Sequence, residues 1–172
     1  MASAVAAITD AEPPLGRFQI VHERPYVVID YAHTPDALSR TLATARALCK
    51  GRLSVVFGAG GERDMSKRPL LGAAALGADR VWLTSDNPRA EDPRQIMNQI
   101  ACGLPGHPDV IHDADRKRAI ARALAAADPS DWIVIAGKGH ERDQEAAGVR
   151  RPFSDEAIVR EVSECATTRS ER

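Results

Sequence analysis

The sequence predicts an α/β fold: a single three-layer, Rossmann-like domain in which a mostly parallel sheet carries helices on both faces. Three observations predict it. Apolar runs alternate with helix-forming runs along the 172 residues. The apolar runs, such as Leu53–Phe57 and Trp132–Ala136, are continuous rather than alternating, as expected of strands covered on both faces. Glycines, prolines and helix-capping residues fall between the runs, where strand–loop–helix units must turn.

Taken in order, residues 1–14 are Ala-rich and end in Glu12-Pro13-Pro14, which favours extended backbone and reads as a linker or tail. The domain itself is expected over 15–163, with a short tail over 164–172. Phe18–His22 and Tyr26–Asp30 read as strands. Pro35–Leu48 reads as a helix because Thr34 can cap it, Pro35 suits its first position, and Leu38, Leu42 and Ala45 share one face. Leu53–Phe57 is a strand running into glycines. Pro69–Leu76 is the next helix and Arg80–Thr84 the next strand. Asp92 caps a helix over Pro93–Cys102, and Asp109–His112 forms a short strand. Asp115–Ala126 is an Ala/Arg-rich helix with a solvated face. Trp132–Ala136 is the clearest buried strand, and Ser154–Val162 closes the domain as a helix. Trp82 and Trp132 are expected in the core. His107 and His112, an odd spacing apart, would point to opposite faces of a strand and so cannot share a metal.

Composition excludes several classes. Apolar residues make up 44% and charged residues 27% of the chain, which fits a globular protein rather than a disordered one. The formal net charge of -1 leaves no basic surplus to neutralise a nucleic-acid backbone. Cys49, Cys102 and Cys165 are odd in number and lack CxxC spacing, so reduced thiols are expected rather than a disulfide framework or zinc site. No basic residue precedes the first apolar run, and no stretch approaches the ~20 apolar residues of a membrane span. A cytoplasmic protein without a membrane partner is expected.

In parallel sheets ligands sit beyond the carboxyl ends of the strands. That rule selects four loops. In Asp30–Pro35, Asp30 and His33 could serve a ribose, a metal-bound water, a base or a phosphate, or Asp30 and Thr34 could simply cap the next helix. In Gly58–Pro69, a third glycine of a dinucleotide fingerprint is missing because Arg63 occupies its place, and no phosphate-loop Gly-Lys-Ser/Thr follows. Its glycines with Arg63, Lys67 and Arg68 suit an anion site, or a solvated charged loop. In Ser85–Arg89, Arg89 offers a planar fork for a carboxylate and Asn87 can donate or accept. The alternative there is an Asn-Pro turn before a helix. In Gly137-Lys138-Gly139-His140-Glu141, glycines bare the backbone and Glu141 can pair with a ligand ammonium.

Together these segments, in this order, resemble the carboxy-terminal domain of the Mur ligases of peptidoglycan synthesis. The resemblance covers residues 15–163. It rests on Asp30-Tyr31-Ala32-His33-Thr34-Pro35, the glycine loop with Arg63-Asp64 and Lys67-Arg68-Pro69, Asp86-Asn87-Pro88-Arg89, and Gly137–Glu141. Gly16-Arg17 and Phe153-Ser154-Asp155 also fit. It implies ATP-dependent amide formation, in which a carboxylate of a UDP-N-acetylmuramoyl-dipeptide is phosphorylated and then attacked by an amino acid's amine. The Asp86-Asn87-Pro88-Arg89 form resembles that of the members that add meso-diaminopimelate. By that match, Arg63, Asn87, Arg89, Gly137 and Glu141 fall at diaminopimelate-contacting positions, and Arg17, Asp30 and His33 at positions approaching ATP. The resemblance assigns no catalytic residue or metal ligand to this chain. ATP, Mg2+ and the UDP-linked substrate would be held mainly by the family's other domains, so this chain alone is expected to be inactive. Where family members often carry an aromatic residue, this chain has Arg142-Asp143-Gln144. Two other readings stay open: a stand-alone, non-catalytic binding module, and a related ligase that adds another amino acid.

Overall fold

A computed structural model describes residues 15–170, with side chains through 165. The expected linker at 1–14 lies outside the described residues. Six strands form one sheet in the order β1-β2-β6-β3-β4-β5. They are β1 (Gln19–Glu23), β2 (Tyr26–Asp30), β3 (Leu53–Phe57), β4 (Arg80–Leu83), β5 (Val110–His112) and β6 (Trp132–Ala136). In this sheet only β1 runs antiparallel, against β2; the other five are parallel.

Alternate residues of each central strand feed two cores. Val28, Val55, Phe57, Val81 and Val134 face α1 (Pro35–Leu48), α2 (Lys67–Ala74) and α3 (Pro93–Ala101). Val27, Ile29, Val56, Trp82, Ile133 and Ile135 face α4 (Arg116–Ala125) and α5 (Asp155–Ser170). Both faces are therefore dry, which accounts for the continuous apolar runs. Trp82 and Trp132 are core residues as expected. Thr34 caps α1 through Ala37 N, and Asp92 and Asp115 cap α3 and α4 in the same way.

The structure departs from the sequence reading in four places. The second helix starts two residues earlier than expected, at Lys67, and ends in a 3-10 turn over Ala75–Gly77. α5 runs on past Val162 to Ser170. An unforeseen hairpin, β7 (Asp143–Ala146) and β8 (Val149–Pro152), follows the fourth loop and turns through Ala147 and Gly148, both at positive φ. His107 lies outside the strand, its Nε2 3.0 Å from Ala78 O.

β2, β6, β3 and β4 are consecutive in the sheet. The four selected loops therefore leave neighbouring strand ends along one edge.

Candidate functional site

Three of the loops, with Tyr31, His33 and Thr34 of the remaining one, line a cavity of about 440 Å³. Arg63, Asn87, Arg89, Gly137 and Glu141 all reach it, together with Asp86. The five residues matched to diaminopimelate contacts thus come together, although they span positions 63 to 141. A larger cavity, about 660 Å³, lies beside the start of α5. Four of its charged side chains are already paired, Lys117 with Glu161 and Arg160 with Glu156, and none of Arg63, Asn87, Arg89, Gly137 and Glu141 lines it, so the smaller cavity is the better candidate.

Two glycines permit the close approach of these loops. A Cβ on Gly61 would strike the Pro88 carbonyl oxygen, and Gly61 N donates to Asn87 O at 2.9 Å. Gly137 has φ +107°, and a Cβ there would come within 2.7 Å of Asp86 Oδ2. Glycine lets the Gly61 and Pro88 backbones pass closely and lets Gly137 hold its positive φ beside the Asp86 carboxylate.

Arg89 is held with φ +52°, a left-handed conformation that costs a non-glycine residue about 1–3 kcal/mol. Surrounding contacts impose it. Arg89 N donates to Glu145 O at 3.1 Å, Ala147 N donates back to Arg89 O at 2.6 Å, and the Arg89 guanidinium donates to Gly61 O. Glu145 Oε2 lies 3.8 Å from Arg89 Nε. The hairpin that the sequence did not reveal therefore aims this residue into the cavity.

Asn87 is also fixed on both sides. Its Oδ1 accepts from Lys138 Nζ at 3.2 Å and from Glu145 N at 3.0 Å, and its Nδ2 donates to Glu141 Oε2 at 3.0 Å. The sequence leaves Asn87 free to donate or accept; here its oxygen is occupied and its remaining N–H can only donate. Partial burial of Glu141 would raise its carboxyl, but hydrogen bonds from Lys138 and Asn87 hold it below its usual range. Asp86 behaves oppositely: burial pushes it up against the pull of Arg116 and Lys138.

Other expected residues fare differently. Arg63 and Lys67 are exposed at the cavity rim, and Lys67 pairs with Asp64 at 3.9 Å. Arg68, expected as a cationic donor for a ligand, is instead turned inward and 1% exposed. It donates to Glu91 at 2.8 and 2.9 Å and to Gln99 at 2.6 Å.

Among the residues matched to ATP, only His33 lines the cavity; its Nδ1 is 2.9 Å from Tyr31 O. Asp30 accepts from Phe18 N at 2.7 Å, Ala32 N at 2.8 Å and Thr41 Oγ1 at 3.1 Å. That carboxylate braces the first loop, and Thr34 rather than Asp30 caps α1. Arg17 lies 5.7 Å from the centroid of the Tyr31 ring, which also meets His33 and His140. The result is an exposed aromatic and cationic shelf beside the cavity.

Two buried cations escape sequence reasoning. Lys138 is fully buried beneath Asn87 and Glu141. Arg116 belongs to a helix expected to be ordinary and solvated on one face, yet it is 1% exposed. It forms two 2.8 Å hydrogen bonds with Asp155 and donates to Ala136 O at 3.0 Å and Ser85 O at 3.4 Å. Burial opposes its charge, and the Asp155 carboxylate more than offsets that. One guanidinium thus ties together the ends of β4 and β6, from which two of the loops leave.

Among the described residues no group of three His, Cys, Asp or Glu side chains could hold a metal ion, and no helix is long and apolar enough to cross a membrane. The three cysteines are free thiols.

Comparison with known proteins agrees with this geometry. The model of the Mur ligase, glutamate ligase domain family matches residues 16–139. A UDP-N-acetylmuramoyl-L-alanyl-D-glutamate–2,6-diaminopimelate ligase of Aquifex aeolicus is 52% identical over 149 residues, covering 86% of this chain and 31% of that protein. The ligase of the same name from Ectopseudomonas mendocina is 51% identical, over 83% of this chain and 30% of its own length. A solved structure bearing that ligase name superposes with a TM-score of 0.84 at 44% identity, covering 95% of this chain and 34% of the other. The chain spans about a third of the length of these relatives. Four loops converging at one sheet edge, with half the residues shared with ligases of one name, leave a single assignment: the chain belongs to the Mur ligase family, as its glutamate ligase domain.

Proposed function

We propose that this chain is the amino-acid-seating domain of an ATP-dependent ligase that joins meso-diaminopimelate to UDP-N-acetylmuramoyl-L-alanyl-D-glutamate in the cytoplasm. The observation that carries the reading is the meeting of Arg89 and Glu141 in one cavity, with Asn87 beside them. Arg89 and the remaining Asn87 N–H offer donors to a carboxylate, and Glu141 offers an acceptor to an ammonium. A zwitterionic end of diaminopimelate carries both groups side by side; the side chain of lysine ends in an ammonium alone.

The chain's own work is positioning. Its donors and acceptors hold the amino acid so that the attacking amine is presented to the activated carboxylate in one orientation. The strained, braced conformation of Arg89 means that little order must be imposed when ligand arrives. Arg63 at the rim adds positive charge where negative charge gathers during acyl transfer. ATP supplies the phosphoryl group that activates the dipeptide carboxylate. In this reading the Arg17–Tyr31–His33 shelf faces that nucleotide, Asp30 braces the shelf, and ATP, Mg2+ and the UDP-linked dipeptide are held mainly by the rest of the ligase.

A chimera tests the proposal. This chain is joined to the remainder of the Aquifex aeolicus relative in place of the matching segment, and ADP release is followed with meso-diaminopimelate, lysine or glutamate. Release dependent on diaminopimelate is expected. Release with lysine or glutamate instead would overturn the substrate. Diaminopimelate binding without ADP release would favour a non-catalytic binding module.

A further inference from the structure

Lys138 sits between two glycines, and its side chain has no exposed surface. A buried ammonium must be matched by acceptors. It has Glu141 Oε2 at 2.9 Å, Asn87 Oδ1 at 3.2 Å and Asp86 Oδ1 at 3.8 Å. All three acceptor residues line the candidate cavity, whereas Lys138 does not. It lies behind the residues that would touch a ligand.

We propose that Lys138 is a positioning residue for amino-acid recognition, its ammonium fixing which atoms of Asn87 and Glu141 face the ligand. The inference rests on reading the cavity as an amino-acid seat. Hydrogen-bond polarity supports it. Asn87 Oδ1 has two lone pairs and two donors, Lys138 Nζ and Glu145 N. Turning the amide over would set its N–H groups against both donors. The amide is therefore locked with nitrogen toward Glu141 and the cavity. Glu141 Oε2 takes hydrogen bonds from Lys138 and Asn87, which leaves Oε1 for an ammonium. One buried cation thus makes Asn87 a donor and Glu141 an acceptor, the polarity a zwitterion requires.

The charges facing Glu141 can be named. Lys138 and Arg116 favour its ionised form, and Asp86, on the neighbouring loop, opposes it. Removing Lys138 would leave two carboxylates sharing a partly buried space without the ammonium that lies 3.8 Å from one and 2.9 Å from the other, and the Glu141 midpoint would rise.

The test uses the full chain, 13C-labelled at carboxyl carbons, with the Glu141 signal identified from Glu141→Gln. In the wild type, Glu141 should titrate below the ordinary glutamate range, and the Lys138 ammonium protons should be protected from exchange. Lys138→Met, similar in length and uncharged, should raise the Glu141 midpoint by about one pH unit. It should also weaken meso-diaminopimelate binding, followed by chemical shifts at millimolar ligand, by a factor that approaches about tenfold as pH falls below the wild-type Glu141 midpoint, with recovery as pH rises. Glu141→Gln should weaken binding equally at every pH. If Lys138→Met does not fold, the wild-type measurements still decide: a freely exchanging ammonium beside an ordinary Glu141 overturns the inference. So does a Lys138→Met chain whose Glu141 midpoint is unmoved. A wild-type chain that ignores diaminopimelate while Glu141 responds to Lys138→Met overturns the substrate reading and leaves Lys138's positioning of these two side chains standing.

Discussion

Asn87 Nδ2 and Glu141 Oε2 lie 3.0 Å apart although 54 residues separate them. Their loops leave β4 and β6, which are not neighbours; β3 runs between them. The bond therefore closes over the end of a third strand, and Gly58–Gly60 of the turn that leaves β3 lies in the same cavity wall. The site depends on three strand ends being held in register by Arg89, by close-packed glycines and by buried ion pairs.

Arg89 combines ligand recognition with backbone strain, and substitutions separate the two. Arg89→Ala removes the fork but keeps the unfavourable φ, so diaminopimelate affinity should fall by about 2–5 kcal/mol as a charge-assisted pair is lost. Arg89→Lys should recover little, because an ammonium cannot reproduce two parallel hydrogen bonds. Arg89→Gly should bind as poorly as the alanine variant yet melt at higher temperature, since glycine accepts φ +52° without cost. Calorimetric titration and thermal melts of the three variants check this. Equal melting of the glycine and alanine variants would show that the backbone at this position is not strained.

Gly61 and Gly137 should be intolerant for different reasons. Gly61→Ala drives a methyl group into the Pro88 carbonyl, so the loops must separate. Gly137→Ala combines a disfavoured φ of +107° with crowding of the Asp86 carboxylate. Each should cost more than about 1 kcal/mol in urea unfolding. By contrast Gly148→Ala, at the hairpin tip with open space around its would-be Cβ, meets only the backbone penalty. A Gly61→Ala chain as stable as the wild type would mean that the two loops have room to part.

The four loops are legible in the sequence because a strand's end and a helix's cap are both local signals, and the carboxyl-edge rule converts them into a place. Thr34 and Asp92 are readable as caps for the same reason, whereas Asp115, expected as the first residue of its helix, is its cap. The hairpin is not: Asp143–Ala146 and Val149–Pro152 are mostly polar and half-buried or exposed, so no apolar alternation marks them, and they act through hydrogen bonds to Arg89, Asn87 and Asp86. The buried cations are equally hidden. Arg116 meets Asp155 across 39 residues, and Lys138 meets Asn87 across 51, pairings that no periodicity encodes. Arg68 misleads because a cation in a glycine loop looks like a ligand donor until its carboxylate, Glu91, is seen beside it.

Acid should loosen the site's outer frame. The Arg68 guanidinium holds Glu91 down to about 2, assisted by the Glu62 backbone N–H. Hydrogen bonds from Arg118 likewise hold Asp113 below its usual range. Both are carboxylates whose folded pKa lies below the unfolded one. Their stabilisation is therefore complete above the ordinary glutamate and aspartate values and is lost as pH falls toward about 2. Unfolding free energy measured from pH 6 down to pH 2 should decline, and Glu91→Gln should flatten part of that decline. A Glu91→Gln chain with the wild-type pH slope would show that the Arg68 pair does not contribute.

The Arg116–Asp155 pair should be the most sensitive point in the molecule, because neither side chain has solvent to retreat to. Asp155→Asn leaves a buried guanidinium with no counter-charge, and Arg116→Met leaves a buried carboxylate; each should cost about 3–5 kcal/mol. That is a large share of the roughly 5–15 kcal/mol by which domains are stable. Replacing both, as Arg116→Met with Asp155→Leu, removes the uncompensated charge, and for an isolated buried pair such a swap is often neutral. Here it should recover only part of the loss. Arg116 also donates to Ser85 O and Ala136 O, and each carbonyl left without a donor costs about 1–3 kcal/mol. Those carbonyls mark where the third and fourth loops begin. The double variant should therefore regain only part of its stability in urea and bind diaminopimelate more weakly than the wild type, because the loops that carry Asn87 and Glu141 lose their common anchor. Full recovery of both stability and binding would reduce the pair to an ordinary core contact.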